Sequence, residues 1–242
     1  MIKFNQTITI LRGELVNNIS HIKGKVIVSS QAMPGEPFYD ENCMKAMMQS
    51  AINGGAEVLR VAGAKDVKIA KGMGVTVIGL TKPDKLPVNW KSVVYITPTL
   101  KEVNELIEAG ADIIAFDGTS RPRGNCTLED IISRIHEAGR YAMADISTLD
   151  EGVNCASLGA DIISTTLAGY TDESGEAGET PDLELFEKLV KTVDKPVILE
   201  GRIWNPKEVK KAFELGAYAV VIGSAITRPQ LITKRFIEYK NA

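Results

Sequence analysis

A lysine placed just after a buried strand is the first residue of this sequence that could do chemistry. In "VTVIGLTKPDK" (75–85), Val75, Val77, Ile78 and Leu80 read as a strand buried on both faces, and the run delivers Lys82 to its exit. An amine among apolar side chains loses part of its hydration, which favours the neutral form and so a base or a nucleophile. Other apolar runs end on polar groups in the same way: Gln31, Arg60, Asp117, Asp145, the "STT" of Ser164 to Thr166, Glu200 with Arg202, and Gly223 with Ser224. Charge at an apolar strand end is costly to desolvate unless it is paired or used. Any one of these residues could belong to an ion-pair network, and Asp117 in "FDGTSRPRG" could equally be a turn former. For the ring as a whole, a working site is the stronger reading.

The elements that must position this ring appear as a repeat. "INGGAEVLRV" (52–61), "EAGADIIAFD" (108–117), "SLGADIISTT" (157–166) and "ELGAYAVVIG" (214–223) each combine a helix end, a Gly-Ala turn and an apolar run. Four further apolar runs, "KVIVSSQ" (25–31), "VTVIGLTK" (75–82), "RYAMADIS" (140–147) and "KPVILEGR" (195–202), fall between them. Helices are predicted over 41–51, 65–71, 100–109, 128–138, 149–157, 182–192, 206–215 and 229–239. Eight strands alternating with eight helices in 242 residues predict a single-domain (β/α)8 TIM barrel, an α/β fold spanning residues 1–242. A doubly wound sheet would carry a Gly-rich turn after its first strand, and "SSQAMPGEP" has no GxGxxG. A ninth apolar run, "SVVYITP" (92–98), is assigned to a long connection from the third strand to the third helix. Residues 1–24 are read as an N-terminal extension, with a short helix over 10–19 capping the barrel floor.

Bulk properties narrow the function. Hydrophobic content is 44% and aromatic content 6%, which suits a core of Val, Ile, Leu and Ala. A net charge of −3 provides no general field for nucleic acid or an anionic membrane, so any anion must be caught by a few placed groups. Cys43, Cys126 and Cys155 have no metal or disulfide spacing, and no stretch has the length of a membrane span. The expected setting is cytoplasmic, with reduced thiols.

Barrels of this kind carry their chemistry where strands run into the βα loops, and the loops after strands seven and eight often hold a phosphate. Here those loops are "LEGRIWNP" and "VIGSAITRP". The amides of Gly201, Arg202, Gly223 and Ser224, with the charge of Arg228, make a phosphate site; the alternative is a tight turn with Arg228 paired to a carboxylate. His21 and His136 fall before the first strand and inside a predicted helix, and read as structural or surface residues. The segment "YTDESGEAGETPD" (170–182) reads either as a mobile lid or as a disordered surface loop.

Eight ordered motifs, "VSSQA", "LRVAG", "IGLTK", "YITPT", "MADISTLDEG", "STTLAGYT", "EGRI" and "GSAITRPQ", resemble the N-acylglucosamine-6-phosphate 2-epimerase family over residues 25–236. The resemblance implies a (β/α)8 barrel that interconverts N-acetylmannosamine 6-phosphate and N-acetylglucosamine 6-phosphate in sialic acid catabolism, with no cofactor and no metal. It makes Lys82 and Glu200 catalytic and gives substrate contacts to Gln31, Arg60, Asp145 and Arg228, to which the loop reading adds Arg202. The expected partner is a small phosphosugar, with a homodimer as the assembly to test. Two departures from the family pattern stand out: the N-terminal extension of about 20 residues, and Gly118 where a residue such as alanine is expected. A Schiff-base aldolase would also use Lys82, a metal-dependent 3-epimerase would need histidines at the strand exits, and a phosphosugar sensor would bind without exchanging hydrogen at C2.

Overall fold

Each of the four Gly-Ala turns ends its helix by the same device. The glycine takes a positive φ, 101° at Gly55, 92° at Gly110 and 99° at both Gly159 and Gly216. The alanine amide after it donates to the carbonyl five residues back, at 3.0–3.1 Å, from Ala56 to Ala51, Ala111 to Leu106, Ala160 to Cys155 and Ala217 to Ala212. The opposite helix ends are fixed by capping boxes at Thr99/Glu102, Thr127/Asp130, Thr148/Glu151 and Asn205/Glu208.

The computed structural model of the chain describes residues 19–240. Eight parallel strands close into a barrel in sequence order: β1 (Val26–Ser30), β2 (Val58–Ala62), β3 (Thr76–Leu80), β4 (Ile113–Asp117), β5 (Tyr141–Asp145), β6 (Ile162–Ser164), β7 (Val197–Glu200) and β8 (Ala219–Ile222). Around them lie α1 (Glu41–Asn53), α2 (Ala64–Gly72), α3 (Leu100–Ala109), α4 (Leu128–Glu137), α5 (Leu149–Ser157), α6 (Leu183–Thr192), α7 (Pro206–Glu214), a one-turn α8 (Ser224–Thr227) and α9 (Pro229–Tyr239). The predicted helices all occur, with ends shifted by at most two residues. The additional turn of α8 has no apolar period long enough to announce it.

Strand alternation sorts the side chains into two cores. Val28, Leu59, Val61, Val77, Ile114, Phe116, Ile163 and Leu199 face outward and pack under the helices. Ile27, Val58, Ile78, Leu80, Ile113, Ala115, Met143, Ile162, Ile198, Ala219 and Val221 fill the barrel interior. Ile19 and Ile22, in a 3-10 turn, close the floor from below as part of that inner cluster. The helix predicted over 10–19 lies outside the described residues apart from Ile19.

The ninth apolar run belongs to the long β3–α3 connection and forms no strand, and it reaches into the wall. β3 and β4 are in register only at Ile78–Ile113 and Gly79–Ile114. Above that pair Ile96 and Thr97 take over the ladder: the Thr97 amide donates to Thr81 O at 3.1 Å, its hydroxyl donates to Ala115 O at 2.7 Å, and the Asp117 amide donates to Ile96 O at 3.1 Å. Thr97 accepts a φ of 43° to do so.

Gly118 leaves no room for a side chain. A methyl there would sit 2.9 Å from Cys155 Sγ and 3.0 Å from both Ala144 Cβ and Ile146 Cγ2. Burial pushes the Cys155 thiol up to about 12, so it stays protonated and donates to Gly118 O at 3.2 Å. Replacing Gly118 by alanine should cost about 1–3 kcal/mol by overpacking, read as a lower urea midpoint at unchanged slope. Adding Cys155→Ala should recover part of that loss.

Candidate active site

Arg60 is the middle residue of β2, between the inward-facing Val58 and Ala62, and so points into the barrel rather than out of its exit. It is 1% exposed. Its terminal nitrogens donate to Asp145 Oδ1 at 3.2 Å and Oδ2 at 2.6 Å, and its Nε faces Glu200 Oε1 at 3.4 Å. Asp145 ends β5 and Glu200 ends β7, each on the inward phase of its strand. Thr166, two residues past β6, places Oγ1 2.7 Å from Asp145 Oδ1, 3.0 Å from Glu200 Oε2 and 2.9 Å from Ser164 Oγ. Thr165 holds Glu200 by its backbone, accepting from the Glu200 amide at 3.1 Å and donating to its carbonyl at 3.0 Å.

Lys82 stands two residues beyond β3, and its Nζ donates to Gln31 Oε1 at 2.8 Å. Gln31 in turn donates to Ser29 Oγ at 2.8 Å, which fixes its amide orientation. Burial and the positive field of Arg60 lower the Lys82 amine to about 8, against the opposing pull of Glu200 and Asp145. Burial raises the Glu200 carboxyl above its ordinary value, with Arg60 opposing.

These groups underlie a cavity of about 440 Å³ at the C-terminal end of the barrel. Gln31, Lys82 and Glu200 line one side; Gly201, Arg202, Gly223, Ser224 and Arg228 line the side built by the loops after β7 and β8. Arg60 and Asp145 are not among the lining residues. Strand phase turns the Arg60 guanidinium inward onto the two carboxylates, Asp145 and Glu200. Asp145 is fully buried, its oxygens taken by Arg60 and Thr166. Arg202 has a φ of 57°, and its guanidinium donates to Ala168 O at 2.6 Å and Thr180 O at 2.9 Å, so it braces the β6–α6 loop from within the wall. Arg228 does pair with a carboxylate, Glu36 Oε2 at 2.8 Å, while still lining the cavity.

Several cavity residues were not singled out as site residues from the sequence. Trp90, Tyr95 and Ile96 come from the long β3–α3 connection, and Tyr170 and Trp204 from the loops after β6 and β7. Thr166 was legible only as part of "STT". Glu151 was missed entirely, although its capping position could have flagged it. Besides its capping contact with Thr148, its carboxylate accepts from the Ser120 and Ser147 amides at 3.0 and 2.9 Å, binding the loops after β4 and β5 together. The segment 170–182 is neither open nor separate. Asp172 accepts from Ser92 Oγ at 2.7 Å, Glu176 pairs with Lys91 at 2.9 Å, and Gly169, at φ 80°, packs so tightly that a methyl would be 2.6 Å from Ala177 Cα. Asp117 is a structural anchor: it is buried and paired with Arg121 at 2.5 Å. His136 sits away from the mouth, bonded to Asp161 at 2.8 Å. Among the described residues no group of three or more His, Cys, Asp or Glu is placed to hold a metal ion, and no helix is long and apolar enough to cross a membrane.

Fold and site together define a class: a (β/α)8-barrel enzyme with acid–base groups at its C-terminal mouth. A family model described as "Putative N-acetylmannosamine-6-phosphate epimerase" matches residues 44–242, and the chain belongs to that family. Relatives named "Putative N-acetylmannosamine-6-phosphate 2-epimerase" include one from Clostridium perfringens, 48% identical over 219 residues that span 90% of this chain and 97% of the relative. Another, from Caldanaerobacter subterraneus, is 47% identical over 227 residues, 91% of this chain and 93% of the relative. The solved structure of the N-acetylmannosamine-6-phosphate 2-epimerase from Clostridium perfringens superposes with a TM-score of 0.86 at 45% identity, covering 93% of this chain and 97% of that one.

The lowered Lys82 has a consequence for stability. Below about pH 8 both the folded and the unfolded chain carry its proton, and burying the ammonium costs the fold at most about 3 kcal/mol. Between about 8 and the ordinary 10.5 the unfolded chain holds more protons, so this cost fades as pH rises. Lys82→Met should therefore raise the thermal midpoint at pH 7, with a gain that shrinks steadily towards pH 10.

Proposed function

We propose that this chain is an N-acetylmannosamine-6-phosphate 2-epimerase that interconverts the manno and gluco forms of the N-acetylhexosamine 6-phosphate, in the setting of sialic acid catabolism. Inverting the carbon that bears the acetamido group requires removal of a proton next to the aldehyde of the open-chain sugar and its return to the other face. This is acid–base chemistry with no change of oxidation state, so protein side chains suffice. The observation that carries the reading is the Lys82 amine, lowered to about 8 in a cavity shared with the loops after β7 and β8.

Lys82 takes the C2 proton. Its donation to Gln31 Oε1 aims the nitrogen, and an amine with an affinity near working pH is matched to both removing and returning a proton. Glu200, at the β7 exit, supplies the acid for ring opening. The phosphate lies at the amides of Gly223 and Ser224, where the one-turn α8 begins, with Gly201 beside it; Arg228 exchanges Glu36 for the anion. The aromatic wall of Trp90, Tyr95 and Tyr170 closes the sugar off from bulk water.

A proton NMR time course of N-acetylmannosamine 6-phosphate with the protein in heavy water, without added nucleotide or metal, should show the gluco epimer appearing with deuterium at C2. Lys82→Met should lose turnover while remaining folded, and a variant that keeps a tenth of the rate would refute the assignment of the base. For wild type, kcat/KM should climb with pH towards a limb near 8 as the amine loses its proton. Arg228→Ala should raise KM about tenfold or more through the loss of a charge-assisted contact, leaving kcat close to wild type. Borohydride trapping of the sugar on Lys82 would favour the aldolase mechanism instead, and binding without C2 exchange would favour a sensor.

A further inference from the structure

In the cluster at the cavity floor Glu200 either carries a proton or lacks one, beside a charged Arg60 that Asp145 pairs. Asp145 is the committed anion, because it takes both terminal nitrogens of Arg60, whereas Glu200 faces only Nε at 3.4 Å, and that Nε forms no hydrogen bond.

Thr166 decides between the two arrangements. Its Oγ1 lies within hydrogen-bonding distance of Asp145 Oδ1 (2.7 Å), Glu200 Oε2 (3.0 Å) and Ser164 Oγ (2.9 Å). A hydroxyl has one hydrogen to give and two lone pairs to accept with. If both carboxylates were ionised, one of these contacts would set lone pair against lone pair. With the proton on Glu200 Oε2 all three contacts close: Glu200 and Ser164 donate to Thr166, and Thr166 donates to Asp145. The hydrogen-bond partner of Lys82 is the neutral Gln31 oxygen, which a free amine satisfies as well as an ammonium does.

We propose that Thr166 is a positioning residue that commits its own hydrogen to Asp145, thereby holding the resting proton on Glu200 and keeping a second negative charge away from Lys82. The protonation claim stands on geometry alone; only its kinetic consequence rests on the epimerase reading. The groups facing Glu200 are Arg60 from β2, Lys82 beyond β3, Asp145 from β5 and Thr166 beyond β6, with Arg228 acting on Lys82 from the start of α9. Removing the Thr166 hydroxyl takes away the acceptor of the neutral carboxyl and the repulsion felt by the ionised one, so both changes favour ionisation of Glu200. An ionised Glu200 then raises the Lys82 affinity.

Carbon NMR of protein labelled at the glutamate carboxyl reads this directly, the Glu200 signal being identified by its loss in Glu200→Gln. In the wild type it should be protonated at pH 7; in Thr166→Val its titration midpoint should fall by about one unit or more, and Thr166→Ser should restore it. The ascending limb of kcat/KM should move to higher pH in Thr166→Val and return in Thr166→Ser. A wild-type Glu200 ionised at pH 7, or a midpoint unmoved by Thr166→Val, would overturn the proposal; Thr166→Ala serves in the same test if the valine variant does not fold. A wild type that fails to epimerise the sugar while the midpoint moves as stated would sink the epimerase reading and leave Thr166 in its role.

Discussion

A guanidinium inside the barrel is the constraint from which the rest of the site follows. Arg60 is 1% exposed, in a position where a neighbouring strand would ordinarily offer Val or Ile, and a lone charge there would be costly to desolvate. Asp145 and Glu200 are its compensation, and each had to arrive on the inward phase of its own strand to provide it. The inner layer therefore carries a polar cluster at the ends of β5 and β7, and Ser164 and Thr166 complete its hydrogen bonding. At the wall of a cavity floored in this way, Lys82 feels the Arg60 cation and the carboxyl groups of Asp145 and Glu200 in a largely buried setting.

That arrangement separates electrostatic duty from contact duty. Lys82 and Glu200, which line the cavity, are tuned by Arg60 and Asp145, which are not among its lining residues. The loops above are stitched in a comparable way by residues outside the reacting ring. Glu151 joins the loops after β4 and β5, and Ser92 and Lys91 clasp the acidic β6–α6 segment. The mouth is thus a continuous hydrogen-bonded rim, with its cations turned inward to backbone carbonyls at Arg202 and to Glu36 at Arg228.

Most of the barrel was legible because its signals are local. The Gly-Ala turns require a left-handed glycine, and the capping boxes state where helices begin, so helix ends fell within two residues of expectation. The ring of strand-end residues was legible too, since polar groups at the ends of apolar runs stand out. Orientation was less so. For Arg60, "VLRVA" shows the residue type but not the partners, Asp145 and Glu200, that barrel closure brings to it. Pairings between distant loops, Glu36 with Arg228 or Glu176 with Lys91, depend on closure of the whole barrel and leave no trace in a local pattern. The compactness of 170–182 was hidden because its composition is that of a solvated loop, whereas its order comes from partners outside it.

The seam between β3 and β4 has a consequence for how such a mouth can vary. Residues 96–97 continue the ladder where the two strands part, so barrel closure depends on the end of the long connection and not on its length. Residues 83–92, which bring Leu86 and Trp90 to the cavity, hang between that seam and Lys82. Insertions, deletions or exchanges over 83–89, before Trp90 and Lys91 give their carbonyls to Arg121, could reshape the pocket wall for a bulkier acyl group while the cylinder kept its geometry, which makes this arc the natural place for substrate range to diverge.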